Sequence, residues 1–197
     1  MLDRMPNASE PSRSFDEVLR SRRTIHDYLP EPVAEAAIEA ALAAAIEAPN
    51  HRMTVPWRFV RVGPITRSKI ADRAVELGTK PGTILGPSEV ARIRSKIESP
   101  FDLVVVGLVR NSDPAIARED YASGACAIQN LMLSLWSAGI GSKWSTGKIT
   151  RDAATYAAVG IDVDRIEIIG FVWIGRAAKV PARPPRPALA ELVRRLP

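Results

Sequence analysis

The chain has 197 residues, 46% hydrophobic and 25% charged, with a net charge of +5. Such a length suits one globular domain that buries roughly 70% of its unfolded surface. The single cysteine, Cys126, excludes an internal disulfide and a multi-cysteine metal site, and the basic excess favours anionic partners such as nucleic acid or a phosphorylated cofactor.

Residues 1–13 are polar, carry Pro6 and Pro11, lack the apolar run of a signal peptide, and read as a disordered extension before a single domain at 14–197. Ser14-Phe15-Asp16-Glu17 fits a capping box and predicts a short helix to about Arg22. Pro32 suits the first turn of a second helix, whose apolar stripe is Val33, Ala37, Ala41, Leu42, Ala45 and Ile46 and which Pro49 ends. Trp57 to Val62 reads as a strand, Thr66 to Leu77 as a helix, and Lys80 to Pro87, with two glycines and two prolines, as a loop. Ser88 is placed to cap a basic helix to about Ile97. Leu103 to Val109 is a continuous apolar run that predicts a strand buried on both faces. A long helix follows and stops at Gly139. Thr150 is placed to cap another helix, to about Gly160. Ile166 to Ile174 reads as a second buried strand. A Pro- and Arg-rich tail then leads to an amphipathic helix with Leu189, Leu192, Val193 and Leu196. Strands and helices do not alternate regularly, so the expected class is α+β, a mixed sheet wrapped by helices.

Tyr121 to Ser142 carries no charged side chain and is long enough to span a bilayer. Ser123, Gln129, Asn130, Ser134 and Ser137 within it favour a central helix buried on most sides, and no membrane association is expected. Several chemistries are absent. Gly141 to Lys148 has one residue too many for a phosphate-binding loop, and Ile149 stands where Ser or Thr belongs. Gly139-Ile140-Gly141 has Trp144 in place of the third glycine of a dinucleotide fingerprint. There is no HExxH motif, the two histidines are far apart, and no metal site is expected. No GxSxG elbow is present. Cys126 lies in an apolar helix and reads as a packed small hydrophobe rather than a nucleophile. Aromatics are only 6% of the chain and basic residues are dispersed, which argues against nucleic-acid binding.

Four segments remain. Arg22-Arg23-Thr24, with His26 and Tyr28, follows the first helix. Ala48-Pro49-Asn50-His51-Arg52 precedes Pro56-Trp57-Arg58-Phe59. Gly139-Ile140-Gly141 precedes Trp144-Ser145-Thr146-Gly147. Gly170 to Gly175 leads to Arg183 and Arg186. In this order the set resembles the nitroreductase family of FMN enzymes, over about Ser14 to Leu196. Its landmarks are RR[ST], an APxH…PW block, a helix ending in AGIG before a strand and a W-x-[ST]-G turn, and an FVWIG strand with a Pro/Arg tail. His51 in the APxH block looks most like the compact bacterial members.

The resemblance implies a mainly antiparallel mixed sheet and an intertwined cytoplasmic homodimer with FMN at the interface. It also implies a ping-pong reaction in which NADH or NADPH reduces the flavin and a nitroaromatic, quinone or activated alkene reoxidises it. Enone reduction, dehalogenation and flavin fragmentation are other reactions of such a scaffold, and a non-enzymatic FMN-binding module is the alternative outside catalysis. No catalytic side chain is expected, because the cofactor carries the chemistry.

By the same resemblance, Arg22, Arg23 and Thr24 match positions for the phosphate and ribityl chain, where a guanidinium fork suits a phosphate dianion. The two arginines would otherwise only offset the helix dipole. His26 stands where relatives carry a cation near the flavin pyrimidine, and is otherwise a surface histidine. Asn50 and His51 match flavin-contacting polar groups, while Met53 and Val55 replace the Asn and Gln that many relatives carry. Trp144, Ser145, Thr146 and Gly147 match the turn facing flavin N5, where a backbone N–H is the donor. One of Arg183 and Arg186 would supply a second phosphate cation, the alternative being a solvated tail.

Overall fold

The computed structural model describes residues 14–197, so the expected N-terminal extension lies outside it. Helix α1 (Phe15–Ser21) starts at the expected capping box: Ser14 accepts from the Glu17 N–H, and Glu17 reaches back to the Ser14 N–H. Helix α2 (Glu35–Ile46) begins later than Pro32, after an extended Ala34. The chain next passes through a 3₁₀ turn at His51–Met53 and strand β1 (Trp57–Arg61). Helices α3 (Pro64–Gly78) and α4 (Pro87–Glu98) each place proline in the first turn, so Pro87 rather than Ser88 opens α4. Strand β2 (Asp102–Val109) leads to α5 (Pro114–Ser137), which Asp113 caps through the N–H groups of Ala115 and Ile116. Strand β3 (Gly141–Ser145), a 3₁₀ turn at Lys148–Arg151, α6 (Ala153–Ala158) and β4 (Ile166–Gly175) complete the body. Asp152, not Thr150, caps α6 by accepting from the Thr155 N–H. The last helix, α7 (Leu189–Leu192), is a single turn with every residue exposed.

The four strands lie in the order β1-β2-β4-β3, and every ladder is antiparallel. The expected parallel component of the sheet is reduced to one bridge, between Thr24 and Ser142. Alternation along β2 feeds two cores. Val104, Val106 and Leu108 join α2 and α5 in one, while Leu103 and Val105 join α3 and α6 in the other. Strand β4 does the same, with a change of phase. Ile169, Val172 and Ile174 face the first core, whereas Ile168, Phe171 and Trp173 face the second. The register shift beside Val106 and Gly107 marks the bulge that causes it. Each such aliphatic contributes about 1.5–3 kcal/mol over its exposed state, so both predicted buried strands are held from two sides.

Among the described residues no helix is long and apolar enough to cross a membrane. The uncharged stretch is the body of α5, buried through Ala127, Ile128, Leu131, Met132, Leu135 and Trp136. Its other face is open: Tyr121, Ala122 and Cys126 are exposed. Cys126 is therefore not a packed hydrophobe. Helical spacing sets it away from the stripe that meets the sheet.

Segment 24–29 closes the fold. The Ile25 N–H donates to the Ser142 carbonyl at 3.0 Å, the Leu29 N–H to Arg176 at 2.9 Å, and the Ala178 N–H to Asp27 at 2.9 Å. Ile25 is fully buried in a satellite core with Val18 and Trp136. Gly141 permits this close approach, because a Cβ there would lie 2.8 Å from Ile25 Cγ1 and 3.2 Å from the Gly175 carbonyl oxygen. Gly141→Ala should therefore lower unfolding free energy by about 1–3 kcal/mol, the usual cost of overpacking, as read from urea denaturation. An unchanged midpoint would show that segment 24–29 has room to move.

Candidate functional site

The docking of segment 24–29 places the end of α1 against the residues that follow β4. Between them lies a cavity of about 520 Å³, lined among others by Arg22, Arg23, Thr24, His26, Arg183 and Arg186. Among the described residues, five arginines and one histidine face it and no carboxylate does. The arginines are not equivalent. Arg20 is paired with Asp16 at 2.7 Å. Arg23 donates to the carbonyls of Arg20 and Arg22, both at 2.9 Å, and so caps the end of α1. Arg22 is half-buried and has no carboxylate or side-chain hydrogen bond among the described residues. Burial, followed by repulsion from Arg23 and Arg186, pulls its pKa below the usual arginine value. A desolvated cation among like charges is a site that an anion would stabilise. Arg183 and Arg186, on the exposed tail, and the exposed His26 complete the ring of positive and polar groups.

Asn50 and His51 are not part of this cavity. They lie at the other end of α5, where His51 Nδ1 is 3.0 Å from the Glu119 carboxylate and Arg52 Nε is 3.6 Å from it. Glu119 and the cavity residue Gln129 are separated by about 15 Å along the helix, at 1.5 Å per residue. The Asn50 amide is committed within its own loop: Nδ2 donates to Thr54 Oγ1 at 2.9 Å, and Oδ1 accepts from the Val55 N–H at 2.8 Å. Thr54 in turn donates to the buried Asp120. This network holds three non-glycine residues, Arg52, Met53 and Val55, at positive φ of 65°, 52° and 47°, a costly conformation that persists only where the surroundings over-determine it.

The turn after β3 is built differently. Trp144 is half-buried and donates from Nε1 to the Ile169 carbonyl at 3.3 Å. The indole crosses Gly170 so closely that a Cβ there would lie 2.0 Å from Nε1. Ser145 Oγ accepts from Trp173 Nε1 at 2.7 Å. Thr146 is exposed and makes no hydrogen bond among the described residues, which leaves its N–H and hydroxyl available. Gly147, at φ 148°, turns the chain into the 3₁₀ turn and accepts from the Thr150 N–H and hydroxyl. Thr146 lines a second cavity, of about 420 Å³, at the start of β4. Among the described residues no cluster of three or more His, Cys, Asp or Glu could hold a metal ion.

The family model of the nitroreductase family matches residues 19–176, which include the Arg22–Thr24, Asn50–His51 and Trp144–Gly147 segments. The chain belongs to the nitroreductase family. YfhC of Bacillus subtilis (strain 168), which bears the name of an NAD(P)H nitroreductase, is 30% identical over 146 residues, covering 74% of this chain and 75% of its own. The fold agrees with solved structures. A nitroreductase-like family protein from Bacillus cereus superposes with a TM-score of 0.80 at 22% identity, covering 96% of this chain and 99% of its own. A variant of NfnB, described as an FMN- and NADPH-dependent nitroreductase from Sphigopyxis sp. strain HMH, gives 0.74 at 20% identity, covering 92% and 98%.

In this family member the cavity also recruits Leu19, Arg20, Gln129 and Ala182, which the sequence motifs did not single out. Gln129 had one legible signal, being one of the few polar residues in the uncharged part of α5. The role of Asn50 is equally testable. Asn50→Ala leaves the Val55 N–H without its partner and removes the donor to Thr54, which keeps only Asp120, so it should lower unfolding free energy by about 1–2 kcal/mol. Denaturant titration of the variant would reveal this, and an unchanged stability would mean that the loop holds its shape by other contacts.

Proposed function

We propose that this protein is an FMN-dependent oxidoreductase that uses NADH or NADPH and reduces small electron-poor acceptors such as nitroaromatics, quinones or activated alkenes. The observation that carries the reading is the half-buried Arg22 guanidinium, which among the described residues is unpaired, surrounded by like charges, and in a cavity lined by no carboxylate. These residues fit a phosphate dianion, and the family supplies the identity of the group that bears it. FMN, when bound, would accept a hydride from NAD(P)H and hand it to the acceptor.

The chain's own residues divide the work of holding that cofactor. Arg22 offers a planar fork to the phosphate, and Arg183 or Arg186 adds a second cation. Thr24 supplies a hydroxyl, and His26 stands where a donor meets the far edge of the ring. The Thr146 N–H, free of partners among the described residues, is the backbone donor at the reacting edge, with Trp144, Ser145 and Gly147 fixing the turn. Arg23 is a positioning residue for the helix end, since its guanidinium is bonded to carbonyls.

His51 and its loop belong to the same site only if a second copy supplies them, because within one chain they lie far from the arginine cavity. That supports a homodimer with the cofactor between subunits. Exposed apolar side chains point the same way: Phe15 and Leu19 on α1, Tyr121 on α5, and Leu189, Leu192, Val193 and Leu196 on the tail are all left open in the single chain. A stable soluble protein covers such a set.

Two experiments test this reading. Heat release and chromatography should find FMN, close to one per chain, in a species that sediments as a dimer. FAD, or no flavin after reconstitution, would overturn it. Arg22→Ala should weaken FMN binding roughly ten- to hundredfold, as expected for the loss of a charge-assisted contact of about 1.5–3 kcal/mol. Arg22→Lys should recover part of this, and Arg23→Ala should cost less. Fluorescence titration measures the affinities, and single-turnover reduction at saturating FMN should be little changed. Equal effects at Arg22 and Arg23 would contradict the division of roles.

A further inference from the structure

The second cavity adjoins the turn that carries Thr146, on the side away from the arginine cluster. At about 420 Å³ it falls within the size range of small-molecule sites, and its lining has a definite chemical character. Ile168 and Ile169 supply an apolar floor, and the half-open ring of Tyr121 supplies an aromatic wall. Tyr156, only 5% exposed, accepts from the Ile168 N–H at 2.8 Å, and its own hydroxyl proton goes to no acceptor among the described residues. Thr146 adds a second unused hydroxyl.

The charges are unequal in number. Arg110 is committed, donating to the Val163 carbonyl at 2.9 Å and lying 3.5 Å from the Glu167 carboxylate. That pair neutralises Glu167, the one acidic group of the lining among the described residues. Arg151 also lines the cavity and has no ion pair or hydrogen bond among the described residues. The balance is one uncommitted guanidinium, two unused hydroxyl donors and an aromatic wall. Hydroxyls and a guanidinium that lack acceptors recognise an anion, and the wall and floor recognise a flat ring.

We propose that this cavity selects the acceptor, favouring an aromatic ring that bears a carboxylate or comparable anion, with Arg151 as the specificity-determining cation. The proposal rests on the flavoenzyme reading, because it takes the Thr146 turn to face the reacting edge of the cofactor.

The test compares two probes of similar shape, 4-nitrobenzoate and neutral 4-nitroacetophenone. Calorimetry on the FMN-loaded, oxidised protein without NAD(P)H gives their affinities. The ratio of affinities should favour the anion. In Arg151→Gln that ratio should fall about three- to tenfold, a modest change because the pair is open to solvent. Arg151→Glu should lower it further, and Arg151→Lys should restore most of it. The KM ratio in turnover should move in parallel. A ratio that does not respond to Arg151, in a protein that holds FMN and reduces the neutral probe with NAD(P)H, overturns the proposal and leaves the flavoenzyme reading standing. A protein that neither holds FMN nor oxidises NAD(P)H overturns both.

Discussion

The backbone hydrogen bonds that fasten segment 24–29 between β3 and the chain after β4 are the constraint on which the rest of this molecule depends. They bury Ile25, tie α1 to the sheet edge, and set Arg22 opposite Arg183 and Arg186 from the far end of the sequence. Without that zipper the arginines would be solvated groups on two separate ends. With it, Arg22 loses water and faces like charges. The sequence devices that allow it are modest: a glycine at position 141 with no Cβ to meet Ile25, and a Trp136 indole that donates to Ser21 Oγ at 2.9 Å and fixes α1 on α5.

Both candidate half-sites carry a local cost. Around Arg22 the cost is electrostatic, from desolvation and like-charge repulsion. Around residues 50–55 it is conformational, three side-chain-bearing residues being held at positive φ by Asn50, Thr54 and Asp120. A fold selected for stability alone would shed both, since either is worth a kcal/mol or more in a molecule whose net stability is of order 5–15 kcal/mol. Local violations of this kind, held in place by an otherwise consistent fold, concentrate where a protein binds or reacts. The two lie on opposite reaches of α5, whose intervening face of Tyr121, Ala122 and Cys126 is exposed in the single chain.

The motif residues divide according to what their neighbours ask of them. Arg22, Thr24, His26, Arg183 and Arg186 were expected cofactor contacts through the family pattern, His26 near the ring and the arginines near the phosphate, and the fold brings all five to one cavity. Arg23 belongs to the same motif, yet its guanidinium closes the end of α1. The amide of Asn50 is absorbed by its own turn, and the hydroxyl of Ser145 by Trp173. No pattern in the sequence separates these cases, because each depends on which carbonyl or ring lies within about 3 Å of the side chain. The binding relevance of Gln129 and of Arg151 was illegible for the same reason: each becomes informative only through the cavity it lines.

By itself the sequence determined the elements whose causes are local or periodic. The capping box at Ser14, the buried runs of β2 and β4 and the uncharged body of α5 follow from hydrogen-bond valence and from the matching of apolar spacing to helix or strand. The expected stripe of α2 holds only in part, since Ile46 is exposed and Ile38, outside it, is fully buried. The ordered landmarks also carried the family. The tertiary structure alone decided the pairing of strands, the restriction of the parallel component to one bridge, the exposure of Cys126 and the single exposed turn at the C-terminus. It also decided which cations remain without partners. These are outcomes of contacts between residues far apart in the chain. Apolar periodicity states that a face will be buried, whereas the identity of what covers it is a property of the assembled fold.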